Sequence, residues 1–305
     1  MVNGTIEHAI LETLAYSDIF EYPLQVEEIH RYLPIRAEIE EVSQALRLSN
    51  QVGKKDDFYF LFGHEKIVEI RRQREAYSRK LLPIGLRYGR LLGVLPFIRM
   101  VALTGSLAVM NSSGNADFDY MLVAARGRVW TARAFALLLN RVTRRFGHTL
   151  CPNLIVSQDV PAWSTHDLYT ARELCQMIPI SGMDVYQKLI KANEWIKEFL
   201  PNAFMESGGW PPDLRKHTLT GTRVSGLQRI LELPLRGKSG NRLEAWEMNR
   251  KIARFSRQPG FGEETIFNAE LCQGNFEHHS KKTREIFEEK MNEMIRREGI
   301  GVGEV

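Results

Sequence analysis

The stretch LTGSLAVMNSSGNADFDYMLVA, Leu103 to Ala124, constrains the fold more than any other part of this chain. An apolar run ends in Gly105-Ser106. Ten residues later two aspartates, Asp117 and Asp119, alternate with Phe118 and Tyr120 at the start of a second apolar run. VALTG (101–105) and DFDYMLVAA (117–125) are short and rich in β-formers, so both are predicted strands. The ten residues between them are enough for a helical turn, a loop and a return as a neighbouring strand. That return would bring Ser106, Asp117 and Asp119 to one end of a sheet. Alternation places the two carboxylates on one face of their strand and the two aromatic rings on the other.

The surrounding pattern predicts more of the same layer. VWTARAFALLLNRVTRRF (129–146) has helical spacing and Gly147 stops it. LCPNLIVS (150–157) is another strand. Strand, helix, strand, helix, strand is a small mixed sheet with helices against it. Upstream, 4–17 is a predicted helix with Ile6, Ile10, Leu11 and Leu14 on one stripe. Pro23 opens PLQVEEIHRYL, whose Glu27 and Glu28 suit a helix start, and Pro34 ends it. AEIEEVSQALRLSNQV is a third helix with Ile39, Val42, Leu46 and Leu48 in phase. GKKDD then FYFLF is a turn and hairpin. Three helices and a hairpin within 1–64 are the order of a winged helix-turn-helix. Its third helix begins with Glu38, Glu40 and Glu41, which is poor for facing phosphates. A docking or dimerisation module of the same shape is therefore the competing reading.

Residues 65–99 carry nine Lys or Arg against three Glu on a predicted long amphipathic helix. Its cationic side is either a solvated face or a border to an anionic substrate. From about 165 the pattern is helical, through LYTARELCQMI and MDVYQKLIKANEWIKEFL, to 221–234, 241–256 and KKTREIFEEKMNEMIRRE. SGGWPPD (207–213) is a loop. The expected organisation is 1–64, 65–163 and 164–305, the last a helical domain, in an α+β chain.

Composition narrows the function classes. Among 305 residues, 41 Lys or Arg and 37 Asp or Glu give a net charge of +4, which permits nucleotide or nucleic-acid contact without requiring it. Cys151, Cys175 and Cys272 are far apart and form no C-x-x-C, so neither a disulfide framework nor a zinc site is expected. The N-terminal residues do not read as a secretory signal, and no apolar run approaches the roughly 20 residues of a membrane span. A cytoplasmic protein without membrane contact is expected.

Paired carboxylates on one face repel when buried and ionised. A divalent cation removes that conflict, and Mg²⁺ takes oxygen ligands while keeping waters or substrate phosphates in its shell. A Gly-Ser turn allows close approach of a phosphate to the backbone. Together these features point to phosphoryl chemistry on a nucleoside triphosphate.

Gly-Ser, ten residues, then Asp-Phe-Asp and an apolar residue resembles the signature of the DNA polymerase beta-type nucleotidyltransferase superfamily. The resemblance covers about 101–160 in detail. It implies a small mixed-sheet nucleotidyltransferase core, Gly105 and Ser106 holding the triphosphate, and Asp117 and Asp119 binding Mg²⁺ or Mn²⁺. It implies transfer of an NMP from an NTP to an acceptor, which across the superfamily is a small molecule, a protein or RNA. Members usually carry a third carboxylate on a later strand. LCPNLIVS has none: Asn153 is the polar residue in its middle, and Asp159 lies just past its end. Either Asp159 reaches back as a third catalytic carboxylate, or Asn153 or a water replaces it, or the site binds nucleotide without turnover. Arg172, Lys188 and Lys191 are candidate cations for the triphosphate. The alternatives are a nucleotide-sensing regulator that binds DNA or protein, with the N-terminal module as its nucleic-acid contact, or a protein-interaction module.

Overall fold

The computed structural model describes residues 2–114, 117–203 and 226–300. Trp210, the 207–213 loop and the start of the 221–234 helix lie outside the described residues. Cys151, Cys175 and Cys272 are free thiols. Among the described residues no helix is long and apolar enough to cross a membrane.

The N-terminal part is three helices and a two-stranded antiparallel sheet. α1 (Val2–Asp18), α2 (Val26–Tyr32) and α3 (Ile39–Leu48) enclose Ile10, Leu14, Leu24, Ile29, Leu33, Val42 and Leu46. β1 (Val52–Lys55) pairs with β2 (Phe58–Leu61), Val52 opposite Leu61. Leu48, expected on the apolar stripe of α3, is 69% exposed. It stands two residues past the buried Leu46, about 200° round the helix, and so faces away from the core. The acidic start of α3 has a local cause. Glu41 accepts from the Glu38 amide at 2.8 Å in a reciprocal cap, a device that fixes where the helix begins.

α4 (Lys66–Gly93) joins this part to the central sheet. Its first turns are structural. Arg71 is buried, grips Glu28 with two hydrogen bonds of 2.7 and 2.9 Å, and lies over the Tyr22 and Phe58 rings. Arg72, Arg74 and Arg79 pair with Asp56, Glu21 and Glu75.

The central sheet has six strands. In chain order these are β3 (Ile98–Leu103), β4 (Phe118–Ala124), β5 (Leu150–Ser157), β6 (Ile178–Ser181), β7 (Thr265–Phe267) and β8 (Leu271–Gly274). The spatial order is β6-β3-β4-β5-β8-β7. Only β4 and β5 run parallel; the other neighbours are antiparallel. The stretch after 164, expected to be helical throughout, supplies three of the six strands. Each is three or four residues long, too short for alternation to declare itself.

Helices cover both faces. On one side α4 and α6 (Val129–Thr143) pack on Phe118, Tyr120, Leu122, Val101 and Leu103. On the other, α7 (Leu168–Gln176) and α8 (Met183–Ala192), with the short α9 (Ile196–Phe199), pack on Met100, Met121 and Val123. The single helix expected over 183–200 breaks at Asn193. Its buried amide serves the Leu189 and Pro161 carbonyls, the Trp163 amide and the Trp195 indole. α10 (Gly226–Glu232), α11 (Lys238–Phe255) and α12 (His279–Ile300) complete the described elements.

Candidate functional site

β3 leaves the sheet beside the start of β4. The Thr104 amide donates to the Asp119 carbonyl at 3.0 Å, extending the ladder by one bond. Gly105 then turns with φ +65°, and α5 (Gly105–Ala108) follows. A Cβ on Gly105 would stand 2.5 Å from Asp119 Oδ2, so only glycine fits this approach. Ser106 sits one residue further, half-buried. The loop beyond is pinned from outside the sheet. Val109 accepts from the Tyr22 hydroxyl at 2.8 Å, and the Ser112 amide donates to Ser78 Oγ at 3.0 Å.

Asp117 is exposed just before β4, and Asp119 is half-buried within it. Pairing puts Asp119 opposite Cys151 on β5, and the register slips between Tyr120 and Met121, leaving Asn153 as the extra residue. Such a bulge re-aims a side chain. Asn153 Nδ2 donates to Asp119 Oδ1 at 2.6 Å, while Cys151 Sγ donates to Asp117 Oδ2 at 3.2 Å. The strand expected to supply a third carboxylate therefore offers an amide that touches Asp119.

Burial pushes the Asp119 carboxyl up to about 6; the Asn153 hydrogen bond opposes this and the Asp117 charge adds to it. Burial and the Asp117 hydrogen bond push the Cys151 thiol to about 12, so it stays neutral. A further carboxyl belongs to this neighbourhood. Glu173 lies on α7, whose Ala171 and Leu174 pack with Met121 on the Asp119 face of the sheet. Burial, then the Asp119 charge, raise Glu173 to about 7. Nothing local in YTARELC marks this residue; only the packing of α7 brings it near.

The structure gathers Gly105, Ser106, Asp117, Asp119 and Asn153, and separates the other candidates from them. Asp159 follows the far end of β5, where Ala124 pairs with Ser157. Five residues of strand, roughly 17 Å, separate that end from Asp119. Asp159 does not reach back; it pairs with Arg126 at 3.1 Å. Lys188 stands at the same far end, lining a cavity of about 360 Å³ with Arg99, Asp159 and Asp184. Arg172 is buried between the Tyr16 and Tyr32 rings, 4.3 and 4.6 Å from their centroids, and donates to Ser17 Oγ at 3.3 Å. It binds α7 to the N-terminal helices.

Among the described residues no three His, Cys, Asp or Glu side chains form a metal cage. Asp117 and Asp119 nonetheless suit a hard cation that completes its shell with water and phosphate oxygens. They offer carboxylate oxygens, and no hydrogen bond or ion pair from a Lys or Arg to either is present among the described residues. The glycine beside them leaves the approach free of a Cβ. No family model, curated protein or solved structure matches this chain.

Proposed function

We propose that this chain is a nucleotidyltransferase that moves a nucleoside monophosphate from an NTP to an acceptor hydroxyl. The observation that carries the reading is the apposition of Gly105 to Asp119, with Asp117 two residues away and Ser106 next in the turn. The core is then of the polymerase beta type, and the module at 1–64 a winged helix. Mg²⁺, or Mn²⁺ in its place, would be held by Asp117 and Asp119 and would neutralise charge on the phosphates.

The chain's own groups have distinct tasks. Gly105 lets a phosphate approach the backbone, and the Ser106 hydroxyl donates to a phosphate oxygen. Asn153 orients Asp119 through the 2.6 Å hydrogen bond. In the reaction the acceptor oxygen bonds to the α-phosphorus and the bond from that phosphorus to the bridging oxygen breaks. Pyrophosphate leaves with the electron pair, and the acceptor's proton passes to a carboxylate or to water.

Asn153 favours a second reading. An amide in place of a carboxylate suits a site that binds nucleotide without turning it over, as a sensor would. Incubation with Mg²⁺, each α-labelled NTP and cell extract as acceptor source separates the two. Label transfer or pyrophosphate release, lost in Asp117→Asn with Asp119→Asn, supports the enzyme. Nucleotide binding without turnover supports the sensor. Absence of both overturns the nucleotide reading.

A further inference from the structure

Between Ala76 and Gln158 the chain has eleven Lys or Arg and only two acidic residues, and those two are Asp117 and Asp119. The remainder holds 30 basic against 35 acidic residues. The positive charge of this protein is thus concentrated in the segment that builds the candidate site.

Several of the eleven are used in the fold. Arg79, Arg99 and Arg126 pair with Glu75, Glu232 and Asp159. Arg128 serves carbonyls and Asn241, and Arg133 lies over Phe255. Lys80 and Arg87 on α4, Arg141 near the end of α6, and Arg144 and Arg145 in the 3₁₀ turn that follows it are different. All five are exposed and have no acidic partner among the described residues.

Both elements flank the start of β4. A Cβ on Gly85 of α4 would stand 3.0 Å from the Phe118 ring, and the Gly85 carbonyl accepts from Tyr120 at 2.6 Å. From the other side, the turn after α6 places His148 against Phe118, and the Thr149 carbonyl accepts from the Phe118 amide at 2.9 Å. Tyr88 joins the two flanks through a 2.9 Å hydrogen bond to His148. Phe118 lies between Asp117 and Asp119 in the chain but faces the other side of β4, so this double flank covers the reverse of the sheet at the end that carries the carboxylates.

Two exposed aromatic rings lie beside these cations, one on α4 and one in the 3₁₀ turn after α6. Tyr77, 53% exposed, covers Gly114 in the loop leading to Asp117; a Cβ on Gly114 would stand 2.9 Å from its ring. Phe146, 70% exposed, follows Arg144 and Arg145 directly.

We infer that the α4–α6 flank is a binding surface for single-stranded nucleic acid, whose end is presented to Asp117 and Asp119 as the acceptor. Unpaired cations track a phosphate backbone, and exposed rings offer platforms for bases. Charge alone would serve any polyanion; the rings beside the cations select one with flat bases. The acceptor role rests on the transferase reading, whereas the binding does not.

The test measures binding of fluorescently labelled 20-nucleotide RNA and DNA single strands of mixed sequence by anisotropy, without NTP or metal. Five phosphate contacts predict a slope of log affinity against log salt of about −3.5. Arg141→Ala with Arg144→Ala and Arg145→Ala should make the slope shallower by about 2. Lys80→Ala with Arg87→Ala, on the other flank, should remove about 1.4. Tyr77→Ala and Phe146→Ala should each weaken binding roughly tenfold with the slope unchanged. No binding at 50 mM salt overturns the inference, as does binding indifferent to all five cations. Equal competition by poly-glutamate overturns it, and so does variant-sensitive binding to anionic vesicles without binding to the oligonucleotides. Strand binding without NTP turnover would sink the transferase reading and leave the surface standing. Turnover without strand binding would do the reverse.

Discussion

The two ends of the central sheet handle charge in opposite ways. Where β4 begins, Asp117 and Asp119 stand two residues apart, Glu173 adds its field, and nearby cations point outward unpaired. Where β4 ends, charge is settled within the protein. Glu232, 1% exposed, accepts from the Phe97 amide at 2.8 Å and from Arg99 at 2.8 and 3.0 Å, with Arg236 at 3.2 Å. Asp159 pairs with Arg126. Converging carboxylates without a counter-ion cost stability. The paired groups at the other end hold α10 against β3.

The largest effect that could break this comparison is on activity. Asp119→Asn should lower labelled-nucleotide transfer by about 10²–10³-fold while leaving the fold intact. Asp159→Asn and Lys188→Ala should each leave transfer within about twofold. If Asp159→Asn abolishes transfer instead, the far end belongs to the chemistry and the contrast fails.

Next in size is a stability effect confined to the paired end. Glu232→Ala leaves Arg99 and the Phe97 amide without their acceptor and should cost about 3 kcal/mol in denaturant unfolding. These partners hold the Glu232 carboxyl below the usual range although burial raises it. Its contribution is therefore present above its unfolded pKa and lost as pH falls through the depressed folded value. Wild type should lose this advantage over Glu232→Gln in acid.

Gly105→Ala tests the unpaired end at the backbone. Its Cβ would meet Asp119, and alanine is strained at φ +65°, so a loss of about 1–3 kcal/mol is expected together with reduced transfer. Full stability with full transfer would mean that the turn is not as tight as the 2.5 Å approach implies.

The smallest effect sharpens the comparison through pH. Asp119 and Glu173 are raised to about 6 and about 7, so the folded state favours their protonated forms. Their contribution is fully present below the unfolded pKa values and is lost as pH rises through 6 and 7. Glu173→Gln should thus raise the melting temperature at pH 8 and not at pH 4. Mg²⁺ should stabilise wild type more at pH 8 than at pH 5, and Asp117→Asn with Asp119→Asn should erase that gain. A Mg²⁺ effect independent of pH would detach the ion from these carboxylates.

Much of the sheet around the site was legible because its signals are local. LCPNLIVS forms β5 over the predicted residues, Gly147 stops the preceding helical segment at φ +77°, and ten residues do return the chain from Ser106 to Asp117. β6, β7 and β8 were not legible: IPIS, TIF and LCQG become strands because a neighbouring strand offers hydrogen bonds, not because of their own pattern. Arg172 looked like a free cation and is enclosed by two tyrosines from α1 and α2.

By itself the sequence determined the turn chemistry of Gly105-Ser106, the shared face of Asp117 and Asp119, and the strand periodicity on either side. Those follow from backbone geometry within a few residues. The tertiary structure alone decided which charges stay unpaired. It carried Asp159 and Lys188 to the wrong end of the sheet, brought Glu173 toward Asp119, and turned Asn153 into hydrogen-bonding range through a bulge. Charges interact over distances set by packing, and residues far apart in the chain become neighbours only when the sheet and its covering helices assemble.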